Sequence, residues 1–366
     1  MFIVERNSKM TSLSRRDFLR LAVAGSGALV VSQILSACGI EEAPQKIENR
    51  PNILAQTPEP TQVPPTPTEI STLGPTETLP SPTATIPEPS PTMTPVASPD
   101  LVVARNGDPE TLVRRAIAAI GGMEKFVPKG ADVVIKPNMC VGFRTYKFAA
   151  TTNPWVVGTL VKLAFEAGAS KVRVMDHTWR REMWEAYETS GIREQVEAAG
   201  GEMQFMELDD FVDTELPKAR DVKSLKLYKD ALNAQVLINV PIAKHHQDAK
   251  LTLGMKNLMG LMDNRLVIHK NIGQRLADLS TGIRPTLNVM DAVRMLMAFG
   301  PIGGALSDVK QMDTVVVSQD IVALDSYTAT LFDMKPDDLD YVRAAVEMGL
   351  GRSDLDNLKI EEFSVS

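Results

Sequence analysis

Asp132-Val133-Val134-Ile135-Lys136-Pro137-Asn138 is the stretch on which the fold turns. Val133, Val134 and Ile135 follow one another without polar alternation, the pattern of a strand covered on both faces. Pro137 has no backbone donor and ends the run, so Lys136 and Asn138 stand at its carboxyl end. Comparable runs recur on either side. Residues 101–104, 171–176, 203–208, 234–240 and 314–317 also read as strands. Helical patterns lie among them: 109–120 behind an Asp108 cap, 154–167 behind Asn153, 192–199 and 321–332. Strands alternating with helices predict an α/β fold, a three-layer sandwich with a mostly parallel sheet.

The N-terminal part is of a different kind. Ser14-Arg15-Arg16-Asp17-Phe18-Leu19 carries the paired arginines of a twin-arginine signal, whose translocase moves folded cargo. Residues 21–35 are apolar but short, and Gly25, Ser26, Gly27, Ser32 and Gln33 dilute them below what a membrane span of about 20 apolar residues needs. Leu35-Ser36-Ala37-Cys38 is similar to a bacterial lipobox. Residues 1–38 are therefore expected to be a lipoprotein signal, with lipidation at Cys38. The expected address is the outer face of the bacterial cytoplasmic membrane, with the lipid as anchor and the twin-arginine translocase as a partner. Residues 39–99 hold fifteen of the chain's 24 prolines among Thr, Ser and Glu, the composition of a disordered Pro/Thr-rich linker. Residues 100–366 are left for one α/β domain.

The chain has 366 residues, a net charge of −7 and a pI near 5.3, which argues against a nucleic-acid partner. Its two cysteines are Cys38 and Cys140. With Cys38 spent on lipid, one thiol supplies neither an intramolecular disulfide nor an iron–sulfur cluster. Structural zinc also lacks a four-ligand set.

In open α/β sheets ligands sit beyond the carboxyl ends of the strands. Lys136 and Asn138 occupy such a position. Thr152, in Thr151-Thr152-Asn153-Pro154, starts the next helix, where free amides suit an anion. After the strand at 234–240, Pro241 leads into Lys244-His245-His246-Gln247-Asp248, then Gly254-Met255-Lys256-Asn257-Leu258-Met259-Gly260, then His269. Histidine exchanges protons near neutral pH, and lysines beside it favour a bound negative charge. Neighbouring histidines on one chain do not face the same way, so only one of His245 and His246 is expected in a site. Asp320 and Asp325 project near the start of the helix at 321–332, and capping is the simpler role for Asp320. A solvated basic loop is the bland alternative for the histidine run. The functional expectation is that Lys136, His246 and Lys256 gather around one cavity that takes a small anionic ligand, with Lys244, Asn138, Asn257, Thr152, Asp320 and Asp325 around it.

The blocks Val134-Ile135-Lys136-Pro137-Asn138, Asn239-Val240-Pro241 through Lys244 and His246, Gly254 to Gly260, and Ser318-Gln319-Asp320-Ile321-Val322-Ala323-Leu324-Asp325 resemble the family called domain of unknown function 362. Some of its members carry ferredoxin segments, whose cysteines this chain lacks. A more distant similarity is to lactate racemase-like proteins. It implies His246 as an acid/base group, Lys256 as tether of a nickel-pincer nucleotide and His269 as metal ligand. Together these readings imply an enzyme acting on a small anionic molecule by His/Lys acid–base chemistry. The alternatives are a tethered binding protein and a structural envelope lipoprotein.

Overall fold

The computed structural model describes residues 98–178 and 183–365. The signal at 1–38 with Cys38, and the linker up to residue 97, lie outside the described residues. Twelve strands appear among those described: β1 Leu101–Arg105, β2 Asp132–Pro137, β3 Lys171–Val174, β4 Glu202–Met203, β5 Phe211–Glu215, β6 Ser224–Tyr228, β7 Val236–Val240, β8 Ile242–His246, β9 Lys250–Thr252, β10 Leu287–Leu296, β11 Val309–Ser318 and β12 Ile360–Ser364. Ten of them form one sheet ordered β12-β1-β11-β10-β7-β2-β3-β4, with β8 added on β10 and β9 on β8. The pairs β10–β7, β7–β2, β2–β3 and β3–β4 are parallel, whereas β11 runs antiparallel to both its neighbours. The mostly parallel α/β sheet is thus as expected. Helices Pro109–Ala119, Pro154–Glu166 and Ile192–Ala198 pack on one another, and Gly254–Asn257, Ile272–Gly282, Ile321–Thr330 and Asp340–Glu347 form a second group.

The helix starts follow local chemistry. Asp108 accepts from Thr111 N, Asn153 from Trp155 N, and Asp320 from Val322 N and Ala323 N; proline occupies the first turn of the first two helices. Three sequence readings need correction. The strand expected at 203–208 is only Glu202–Met203: its partner β3 ends at Val174, whose carbonyl takes a last bond from Gln204 N. The run around Lys244 and His246 is not a loop but the strand β8, which pairs with β9 and β10. β10 had no counterpart in the sequence reading, since Asn288, Asp291 and Arg294 interrupt its apolar pattern.

Those interruptions have a structural reason. Register places Lys136 beside Asn239, Asn239 beside Asn288, and Asn288 beside Ser318, so one row of polar side chains crosses four adjacent strands. Partners in register share a sheet face. An otherwise apolar sheet therefore carries a polar line, level with the carboxyl ends of β2 and β7.

Candidate functional site

The segment Gly254–Leu261 lies on that polar line and is held there by specific bonds. Asp325, fully buried, accepts from Gly254 N (2.6 Å) and Met255 N (3.0 Å), which ties the start of the segment to helix Ile321–Thr330. Burial pushes its carboxyl up to about 7, and the two amides pull the other way. Asn239 Nδ2 donates to Asn288 Oδ1 (3.1 Å) and to the Gly254 carbonyl (3.1 Å). Asn257 is the hub. Its Nδ2 donates to Asn239 Oδ1 (2.9 Å) and its Oδ1 accepts from Lys136 Nζ (2.8 Å) and Asn138 Nδ2 (2.9 Å). Asn138 Oδ1 in turn accepts from Lys244 Nζ (2.9 Å), which also donates to the Ala150 carbonyl (2.6 Å). Gly260 passes so close that a Cβ there would lie 1.8 Å from Asp176 Oδ1 and 2.6 Å from Lys136 Nζ, so only glycine fits.

Four cationic side chains meet around this hub. Lys136, 1% exposed, pairs with Asp176 at 2.9 Å and also donates to the Pro137 carbonyl. Lys244 lies beside Cys140. Arg265 donates from Nε to the Met259 carbonyl and from Nη2 to the His177 carbonyl. Lys256, 9% exposed, has as its single bonding partner among the described residues the Met259 sulfur, at 3.7 Å. Burial lowers all four affinities for protons, bringing Lys136 to about 8 and Lys256 to about 7, and the lysines and Arg265 add mutual repulsion. Asp176 is the one buried carboxylate acting on Lys136, Lys244 and Arg265, and burial raises its own pKa.

β8 sorts the histidines. Lys244 and His246 share one side of the strand, as alternation requires, and His245 takes the other, accepting from Gly300 N (3.2 Å). His246 Nδ1 accepts from Asp248 N (3.1 Å) and Ala249 N (3.2 Å). Those amides place the ring proton on Nε2. Burial, then Lys256, drives its pKa down to about 2, so His246 is neutral and its free edge is a donor, not a base. His269, a third exposed, lies 3.2 Å from Asp248 Oδ2 with its ring centre 6.0 Å from that of His246.

The charge of Lys244 acts on Lys136, on Lys256 and on the His246 ring, and Lys256 acts on that ring directly. The cavity of about 410 Å³ is lined by Tyr146, Trp155, Arg294 and Asp313, and by none of the expected site residues. The cluster itself is enclosed, with half-buried Asn138 and Cys140 and the more exposed His269 on its solvent side. The buried hydroxyls of Thr151 and Thr178 follow the carbonyl-bearing residues Ala150 and His177 that hold Lys244 and Arg265, and make no hydrogen bond among the described residues.

Three expected ligand groups are otherwise engaged. Thr152 Oγ1 accepts from Asn138 N and donates to the Val240 carbonyl, both at 2.8 Å, stitching β2 to β7. The helix start behind it already has an acceptor: Asn153 N donates to buried Asp291 at 2.6 Å. Asp320 spends one oxygen on the cap and the other on Arg352 N, and Asp325 holds backbone amides as described. Arg265, Cys140, Asp176, Asn239 and Asn288 were not among the expected site residues. Asp176 and Asn239 did stand at strand ends, the one signal that marks them.

Among known proteins, a thylakoid-associated protein of Synechocystis sp. is 25% identical over 253 residues, 65% of this chain and 74% of that one. The lactate racemase apoprotein of Thermoanaerobacterium thermosaccharolyticum superposes with a TM-score of 0.37 at 12% identity, covering 58% of this chain and 53% of that chain. A structural-genomics protein of Thermotoga maritima gives 0.35 at 11%, covering 66% and 60%. The chain thus spans little more than half the length of these two structures. The family model described as Domain of unknown function (DUF362) matches residues 133–330, more than half of the chain and all of the hub just described, and the chain belongs to that family.

Proposed function

We propose that this protein binds a small anionic molecule at the Lys136–Lys244–Lys256–Arg265 cluster and acts on it as an enzyme. The carrying observation is the charge imbalance: four cationic side chains converge, one buried carboxylate, Asp176, acts on three of them, and Lys256 forms no ion pair among the described residues, Asp248 acting on it only from beyond bonding distance. Buried charges are ordinarily paired, so a bound anion is the missing counter-charge. His246 supplies Nε2–H to that anion. A buried amine that titrates near neutral pH and a fixed imidazole donor are more than simple capture of an anion needs. Capture without turnover is the alternative.

The expected behaviour has a definite pH sign. Protonated Lys256 attracts the anion, so affinity is greatest below about pH 7 and falls as the lysine loses its proton. Sulfate, whose own charge is constant over this range, should raise the melting temperature at about pH 6 far more than at about pH 9, beyond a chloride control of equal ionic strength. Equal shifts at both pH values would remove this reading.

The proposal includes the address: export through the twin-arginine translocase and a lipid at Cys38. A second reading concerns Lys256. Its untied amine, with His246 before it and His269 after it, suits the covalent attachment of a nickel-pincer nucleotide with His269 as metal ligand. Among the described residues no group of three His, Cys, Asp or Glu side chains could hold a metal ion, so such a group would bring further donors with it. Intact mass of protein matured in a bacterium with both pathways tests both statements. Acyl mass on the peptide beginning at Cys38 is the expected result; added mass with nickel at Lys256 would support the tether, and its absence would end it.

A further inference from the structure

We propose that Lys256 is a nucleophile that joins the substrate of this site through an imine, and that the substrate is an anionic carbonyl compound, a 2-oxo acid by class. The inference rests on the anion-site reading and adds the reacting atom to it.

The three buried lysines differ in how their amines are used. Lys136 has a carboxylate, an amide oxygen and a carbonyl; Lys244 has an amide oxygen and a carbonyl. Lys256 has only a thioether at 3.7 Å, and Lys244 and Arg265 oppose its charge more strongly than the Asp248 carboxylate favours it. An ammonium there would leave its donors unsatisfied, whereas a neutral amine loses little and keeps a free lone pair. A desolvated lysine next to other cations is the usual arrangement of an imine-forming residue. Its pKa near 7 agrees.

The surroundings select the substrate. Arg265 Nη1 makes no hydrogen bond among the described residues, and His246 directs no lone pair but Nε2–H outward, so both are available to a carboxylate. With the carboxylate held there, the adjacent carbonyl carbon is offered to Lys256. The Nζ lone pair forms the C–N bond, the carbonyl oxygen takes up the two protons of the amine, and it leaves as water. Amine and carbonyl give imine and water, so no oxidant or reductant is needed.

Reductive trapping tests this on the full-length protein. Glyoxylate with cyanoborohydride at about pH 7 should place a carboxymethyl group on Lys256 at least roughly tenfold faster than on exposed lysines, because much more of the Lys256 amine is unprotonated. Acetaldehyde, which has no carboxylate, should label Lys256 more slowly than glyoxylate does. Lys256 labelled no faster than the surface lysines would overturn the imine, as would a Lys256 already carrying mass before treatment. Equal rates with both aldehydes would overturn the 2-oxo acid assignment. The sulfate response is measured separately, so loss of the imine and loss of the anion site are distinguishable.

Discussion

Replacing Lys256 by Met is expected to stabilise the folded protein at about pH 6, by roughly 2–4 kcal/mol. Lys256 has its pKa lowered from 10.5 to about 7 by burial first and by Lys244 and Arg265 next. Between those two values the unfolded chain binds more protons than the folded one, so this group costs stability. The cost is complete below about pH 7, shrinks as pH rises through the window, and is gone above the unfolded value. Methionine keeps an unbranched chain of similar volume and removes the charge. Urea unfolding at about pH 6 and about pH 10 reads the effect: a gain at the lower pH that nearly disappears at the higher one. The variant should also lose the stabilisation by sulfate. A Lys256→Met protein less stable at both pH values would show that this amine is compensated by contacts and is not a stored cost. A residue that destabilises its own fold is expected where binding, not folding, sets its identity.

The opposite sign is expected for Asp176→Asn, which should destabilise by about 3–5 kcal/mol near neutral pH. Burial pushes Asp176 up and Lys136 down, each toward its neutral form, and their attraction at 2.9 Å only partly offsets this. The pair is no great source of stability by itself, but removing one half leaves the cations without their carboxylate. Asn keeps the shape, and its oxygen can still accept from Met139 N, a bond now 2.6 Å long. The loss is therefore mainly electrostatic. If so, sulfate should stabilise the variant more than the parent, by supplying the lost negative charge. An unchanged unfolding midpoint, or a sulfate response no larger than the parent's, would contradict the charge imbalance.

The parts of this architecture that were legible in the chain are those dictated locally. Val133-Val134-Ile135 ended by Pro137 marks a covered strand whatever surrounds it, and Asp108, Asn153 and Asp320 cap helices with their own side chains. Lys136 and Asn138 stood out because strand ends face the ligand side of such sheets, whereas Lys244, His246 and Asn257 stood out only as a dense polar run after the strand at 234–240. What the chain concealed depends on contacts remote in sequence. β10 looks unlike a strand because Asn288 serves the polar row and Asp291 accepts from the backbone N–H of Asn153, the cap of a helix more than 130 residues earlier. Arg265 sits in irregular chain, and only the fold brings it to the carbonyls of Met259 and His177. Cys140, uninformative when counted for disulfides, gains meaning from Lys244 beside it. Thr152 was read as part of an anion site, but Asp291 already accepts from the adjacent amide of Asn153, a fact that periodicity does not carry.

Anion binding at these lysines is read most directly by calorimetric titration with sulfate at about pH 8, repeated in buffers of different ionisation heat. An anion that settles against Lys256 and Lys136, which titrate at about 7 and about 8, must raise both pKa values. Saturable binding with net proton uptake is the predicted result. Binding without proton uptake, or no saturable binding at all, would show that no anion settles against these lysines.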